Sequence, residues 1–180
     1  MNIVPTALPE VLVIEPKVFG DDRGYFFESF NARRFAELTG IDAAFVQDNH
    51  SCSAAGVLRG LHYQIRHPQG KLVRVANGLI LDVAVDMRRS SPNFGRHVAV
   101  ELGSANRRQL WVPPGFAHGF LVKSEFAEVL YKTTDYWYPE HERSLLWNDP
   151  ALGIDWGVAE PTLSAKDREG KVLAEAESYR

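Results

Sequence analysis

At 180 residues and a formal net charge of −3, with no basic block, the chain lacks the electrostatic stripe that polymeric nucleic acid requires, although local arginines leave room for a small anionic ligand. It is long enough for one hydrophobic core and reads as a single domain, residues 1–180. The single cysteine, Cys52, cannot close an internal disulfide. No apolar run approaches the ~20 residues needed to cross a bilayer, and the Met1–Pro5 start lacks a basic region followed by an apolar core. A soluble, cytoplasmic protein without a membrane partner is expected.

Short strand-like runs dominate. Val11–Ile14 is apolar. Gly20–Gly24 has turn composition and leads into an aromatic strand, Tyr25–Phe30, which carries Glu28. Asn31 is placed to cap a helix over Ala32–Thr39, with Gly40 as its stop. Strands are expected at Ala44–His50 and Val57–Gln64, on either side of a small-residue loop holding Cys52. Lys71–Ala76 precedes Asn77-Gly78, a hairpin signal. In the next run Leu79, Leu81, Val83, Val85 and Met87 share one face, and Asp82 and Asp86 lie on the other. Runs at His97–Leu102, Gln109–Pro113, Gly119–Lys123 and Phe126–Thr134 continue the pattern. The last third is less regular: Ser164-Ala165-Lys166-Asp167 resembles a helix entry, and Lys171–Glu177 has the composition of a short helix. Many short strands at close spacing predict a mainly β sandwich or barrel with a few short helices.

Val57–Gln64 is the most informative stretch. Strict alternation puts Leu58, Gly60, His62 and Gln64 on one face, and Val57, Arg59, Leu61 and Tyr63 on the other. A histidine inside such a strand needs partners for its ring nitrogens, and arginine, lysine, tyrosine and carboxylate side chains recur on neighbouring strand-like segments. That combination points to acid–base chemistry. Farther on, Pro113-Pro114-Gly115-Phe116-Ala117-His118 has the spacing Pro-x-Gly-x-x-His, similar to the second motif of cupins, which are small jelly-roll barrels.

Several ordered motifs together resemble the dTDP-4-dehydrorhamnose 3,5-epimerase family over Phe19–Asp167. They are Asp22-Arg23-Gly24 with Glu28, Gln47-Asp48-Asn49, Leu58–Gln64, Gln69–Arg74, Pro113–Phe120, Leu130–Thr134, Leu146–Pro150 and Leu163–Asp167. The resemblance implies a cupin-type jelly-roll homodimer that uses no cofactor and no metal. It would epimerise C3 and C5 of a dTDP-linked 4-keto-6-deoxyhexose, a step of rhamnose biosynthesis.

The chemistry has its own logic. A C4 ketone acidifies the protons on C3 and C5. Removing one gives an enolate, and returning a proton to the opposite face inverts the carbon. Such a site needs a base, an acid across the ring, a cation or donor at the ketone oxygen, and contacts for the nucleotide. An imidazole suits the base, since that side chain titrates near neutrality, and His62 is the candidate. The resemblance implies Asp167 as the carboxylate orienting His62, Tyr131 as the acid and Lys71 at the enolate oxygen. Arg59 and Arg23 suit a diphosphate through charge-assisted forks. Glu28, Gln47, Asp48, Asn49, His118, Glu142 and Lys166 match family positions that contact substrate. Trp137 occupies the position where the family stacks an aromatic ring on thymine, although Tyr136-Trp137-Tyr138 offers three rings.

Other readings exist. A metal-dependent cupin would draw two closely spaced histidines and a carboxylate from one strand, but the residue two past His62 is Gln64. A nonenzymatic nucleotide-sugar binding module would explain the arginines and Trp137, but not the joint match at His62, Tyr131, Lys71 and Asp167. A mono-epimerase acting at C3 or C5 alone would share the same acid–base groups.

Overall fold

A computed structural model describes residues 1–180. Strands β1 (Asn2–Pro5), β2 (Leu12–Glu15), β3 (Val18–Asp21) and β4 (Gly24–Phe27) precede helix α1 (Ala32–Thr39). Then follow β5 (Gln47–Ala54), β6 (Leu58–Gln64), β7 (Lys71–Asn77), β8 (Leu79–Asp86), β9 (His97–Gly103), β10 (Gln109–Val112), β11 (Phe116–Val122), β12 (Phe126–Thr133) and β13 (Glu142–Ser144). A short helix, α2 (Ala165–Arg168), comes near the end. One sheet has the order β1-β2-β10-β7-β12-β5 and the other β13-β6-β11-β8-β9, with β3 and β4 forming a separate hairpin. Two antiparallel sheets facing one another make the expected mainly β jelly roll. No helix is long and apolar enough to cross a membrane.

Alternation builds three layers of apolar packing. Val73, Val75, Leu110, Val112, Ala127 and Val129 from the first sheet meet Ile80, Ala84, Val98, Leu102, Phe116 and Phe120 from the second. The outer face of the second sheet, with Leu58, Leu61, Val83, Val85 and Met87, is covered by Leu145, Leu152, Trp156 and Ala176. The irregular last third is therefore a cover, and it buries residues worth roughly 1.5–3 kcal/mol each. On the first sheet's outer face, Ile14, Leu72 and Trp111 pack under Phe35 of α1. The Asn31 side chain accepts from the Arg34 N–H, and Gly40 closes the helix at φ 71°.

Four expectations are corrected. Asn77-Gly78 makes no hairpin: β7 pairs with β10 and β12, whereas β8 pairs with β9 and β11, so the chain crosses between sheets there. Gly78 has φ 84°, and a Cβ would lie 2.1 Å from the Phe126 carbonyl oxygen. The Cys52 segment is strand rather than loop, because β12 pairs with β5 from Gln47 to Ala54. The turn expected in Gly20–Gly24 is present, at Asp22-Arg23 between β3 and β4, but the strand after it ends at Phe27 rather than Phe30, and Phe19, Tyr25 and Phe26 of this hairpin are exposed. Lys171–Glu177 forms a single turn in an extended strap, tied through bridges at Leu145↔Lys171 and Arg88↔Tyr179.

Candidate active site

Between the sheets lies a cavity of about 390 Å³. His62, Arg59, His118 and Phe120 line it from the second sheet, Lys71, Tyr131 and Ser51 from the first, and Asp167 from α2. Lys71 shares the inward face of β7 with Val73 and Val75, and Tyr131 follows Val129 inward on β12.

Strict alternation had set Arg59 and His62 on opposite faces. The register corrects this: His118 lies opposite His62 and Phe120 opposite Arg59, so two residues of β6, Gly60 and Leu61, face only Gly119 on β11. This β-bulge turns Arg59 and His62 to the same side. Two glycines permit it. A Cβ on Gly60 would stand 2.6 Å from the Gly119 Cα, and one on Gly119 would stand 2.6 Å from the Arg59 carbonyl oxygen.

The His62 Nε2 and Asp167 Oδ1 are 2.6 Å apart, which leaves Nδ1 as the other ring nitrogen, 3.9 Å from Glu142 Oε1. Asp167 belongs to the first turn of α2, capped by Ser164, whose hydroxyl donates to Asp167 Oδ2 at 2.7 Å. Helix-start carboxylate and histidine partner are thus one role. Burial pushes the Asp167 carboxyl up, but bonds from His62 and Ser164 outweigh it and hold the group below the ordinary carboxylate range. The segment is anchored by Thr162, whose N–H donates to the Gly56 carbonyl at 2.8 Å and whose carbonyl accepts from the Leu58 N–H at 3.0 Å.

Burial pulls the Lys71 ammonium down to about 8, against opposing pulls from Glu142 and Asp82, with Lys166 adding to the depression. Burial also raises the Tyr131 phenol, aided by Glu142 and opposed by Arg59, so it is protonated at neutral pH. Glu142 is half-buried and reaches Lys166 Nζ at 2.5 Å and the Trp137 Nε1 at 3.3 Å. Burial favours its neutral form, but Lys166, His62 and Trp137 together keep its carboxyl low.

Other candidates divide. Arg59 Nε donates to Ser53 Oγ at 2.9 Å and faces the cavity. Gln47 Nε2 donates to Asn49 Oδ1, and Gln47 Oε1 accepts from the Trp137 N–H at 3.1 Å. Asp48, between them, takes the opposite face and pairs with Lys132 at 2.9 Å. Arg23 and Glu28 do not reach the cavity within this chain: Arg23 pairs with Asp21 on the exposed hairpin, and Glu28 accepts from Asn31. Among the three rings, Tyr138 is stacked on His67 at 4.3 Å, Tyr136 is exposed, and Trp137 is the one tied to Gln47 and Glu142.

Sequence reading missed Asp82 as a partner. It is fully buried, and its Oδ1 lies 2.7 Å from His118 Nε2, so each cavity histidine has its own carboxylate. The available signal was a carboxylate interrupting a strand that is apolar on both faces. Gln64, noted only for not being histidine, is also committed: its amide bonds to three backbone groups.

Comparison with known proteins accords with this arrangement. The family model of dTDP-4-dehydrorhamnose 3,5-epimerase matches residues 5–175. The chain is 60% identical over 180 residues to a dTDP-4-dehydrorhamnose 3,5-epimerase of Pseudomonas aeruginosa, covering 99% of each. It is 56% identical over 178 residues to one from Salmonella typhimurium, covering 98% of this chain and 97% of that one. Its fold superposes with a TM-score of 0.95 and 53% identity on a dTDP-6-deoxy-D-glucose-3,5-epimerase from Legionella pneumophila, solved in complex with dTDP-4-keto-L-rhamnose; 98% and 94% of the two chains are covered. With its cupin-like jelly roll and its His62–Asp167 pair facing Tyr131 across one cavity, this chain belongs to the dTDP-4-dehydrorhamnose 3,5-epimerase family.

Proposed function

We propose that this protein, acting as one domain, epimerises C3 and C5 of dTDP-4-dehydro-6-deoxy-glucose to give dTDP-4-dehydro-rhamnose, in the manner its relatives' names describe. The observation that carries the reading is the opposed placement of His62 and Tyr131 on facing sheets around one cavity, which Lys71 also lines from the sheet of Tyr131. His62, oriented by Asp167, takes the proton from the carbon beside the ketone. The resulting imidazolium is stabilised by the same carboxylate. Charge moves to the C4 oxygen, where the Lys71 ammonium stabilises the enolate. Tyr131 returns a proton from the other face, inverting the carbon. Nothing in this cycle changes oxidation state, so the acid–base groups suffice without a cofactor.

Arg59, with His118 fixed by Asp82, is assigned to the polar end of the ligand, and Trp137 to the base, with Gln47, Asn49, Glu142 and Lys166 around it. We assign Arg23 and Glu28 to the site of a second copy. The hairpin that carries Arg23 projects Phe19, Tyr25 and Phe26 into solvent, and such an exposed aromatic patch calls for a partner. A homodimer would cover it and bring each Arg23 to the other subunit's diphosphate. The role of Asp48 would then be confined to the outer face. A nucleotide-sugar substrate and the free Cys52 support a cytoplasmic site of action.

The test is an NMR assay with dTDP-4-keto-6-deoxyglucose in deuterium oxide. Deuterium at both C3 and C5 with formation of the L-rhamno product is expected; incorporation at one carbon alone would make this a mono-epimerase, and none would make it a binding module.

A further inference from the structure

Gln64 ends the strand that carries His62, yet its side chain takes no part in the cavity. It is 3% exposed, and all of its hydrogen-bonding capacity toward protein goes to backbone. Its Nε2 donates to the carbonyls of His67 at 2.7 Å and Tyr136 at 3.1 Å, and its Oε1 accepts from the Tyr138 N–H at 2.7 Å. The last two groups flank Trp137 on either side in the chain. Gln47 holds the N–H of Trp137 itself at 3.1 Å, and the Gln69 amide donates to the neighbouring Asp135 carbonyl at 2.9 Å. Three glutamine side chains thus grip the backbone of a segment with no regular structure, and the most buried of them straddles the exposed indole. The backbone of Gln64 is fixed in turn: Tyr179 donates to its carbonyl, and it pairs across the sheet with Glu142, the carboxylate that meets the Trp137 indole N–H.

We infer that Gln64 is a positioning residue for nucleotide recognition: by clasping Tyr136 and Tyr138 it fixes the height and tilt of the Trp137 ring beside Glu142, the carboxylate 3.9 Å from the cavity's His62, so that the ring is ready to receive a planar base. The inference rests on the assignment of Trp137 as the stacking surface. A flat ring pays for its stacking only if it is held in place before the ligand arrives, and preorganisation of this kind acts on affinity. Gln64 reaches no reacting atom, so its loss falls on nucleotide binding and spares the chemical step.

The experiment measures the Kd of dTDP by titration calorimetry, together with kcat and KM, for the wild type, Gln64→Met, Gln64→Glu, Trp137→Ala and the double variant Gln64→Met/Trp137→Ala. The expected result is a roughly 5–20-fold weaker Kd and higher KM for Gln64→Met and Gln64→Glu, with kcat at saturating substrate within about 2-fold of wild type. The double variant is expected to bind no more than about 2-fold worse than Trp137→Ala alone, because Gln64 acts through that ring. A merely structural glutamine would give additive losses or a fall in kcat, and either overturns the inference. Unchanged affinity in the Gln64 variants, with Trp137→Ala weakened, overturns it while leaving the assignment of Trp137 intact. Unchanged affinity in Trp137→Ala removes that assignment and the inference together. Should the Gln64 variants not fold, wild-type amide exchange decides: the Tyr138 N–H is expected to exchange at least about 10-fold more slowly than a free amide, and exchange at the free rate overturns the clasp.

Discussion

Arg59 and His62 lie on the same side of one strand although they are three positions apart, because Gly60 and Leu61 together occupy the space opposite Gly119. The guanidinium assigned to the polar end of the ligand and the imidazole proposed as the base owe their common direction to that bulge. Gly119→Ala drives a methyl group to 2.6 Å from the Arg59 carbonyl oxygen and 3.0 Å from the Gly60 Cα, both backbone atoms that cannot swing away. A loss of ~1–3 kcal/mol in stability is expected from such overpacking, with a disproportionate drop in kcat/KM. Thermal denaturation beside steady-state kinetics checks it; wild-type activity in this variant would show that the bulge is dispensable.

Removing the phenol separates abstraction from delivery. Tyr131→Phe is expected to retain loss of C–H protons to solvent deuterium while product formation falls roughly 10²–10⁴-fold. His62→Ala is expected to abolish exchange at both carbons and leave dTDP affinity within a few-fold of wild type. Time-resolved proton NMR reads both, and normal exchange in His62→Ala would remove the histidine from the role of base.

Lys71 sets a basic limit. In the proposed cycle the ammonium stabilises the enolate oxygen, and burial has brought it to about 8. The kcat/KM profile, which reports the free enzyme, is therefore expected to fall with a slope of one above about pH 8. Lys71→Arg should abolish that limb, whatever its absolute rate, since a guanidinium keeps its charge. The same shift has a stability sign. A lysine lowered from 10.5 is disfavoured in its charged form by folding, a penalty fully present below about pH 8 and relieved as pH rises toward 10.5. Lys71→Met is thus expected to raise stability at pH 7 by ~1–3 kcal/mol while eliminating turnover. Asp167 and Glu142 have the opposite sign: their lowered values add stability above the ordinary carboxylate range, and this is lost only as pH falls below it.

The assignment of Arg23 to a partner's cavity predicts complementation. His62→Ala and Arg23→Ala are each expected to be strongly impaired, the first in kcat and the second in KM. Mixed and re-equilibrated at equal amounts, half of the dimers are hybrids with one intact site of two, so about 25% of wild-type activity should return. Activity no greater than the sum of the separate variants would place Arg23 in its own subunit's chemistry or in none.

Much of the architecture is legible because local rules dictate it. The Asn31 cap and the Gly40 stop bracket α1 as their chemistry requires, and alternation along Leu79–Met87 separates the face packed under the C-terminal cover from the face carrying Asp82. What local rules miss is which strand lies beside which. Asn77-Gly78 has the composition of a hairpin, yet it joins two sheets, because β7 and β8 each find better partners elsewhere. The Cys52 strand has little β propensity of its own and is recruited by β12 along its whole length. For the site, residue types and motif order name His62, Tyr131 and Lys71. The His118–Asp82 pairing arises only from sheet order, since the two residues are 36 positions apart and become neighbours through the pairing of β11 with β8. The bulge in β6 was invisible to a rule that counts residues by twos.

The carboxylate that equips His62 arrives from 105 residues downstream, on a short helix held against the barrel by Thr162. The proposed base therefore owes the set of its ring to the closing stretch of polypeptide, so that a chain cut ahead of Ser164 keeps the imidazole and loses the group that orients it.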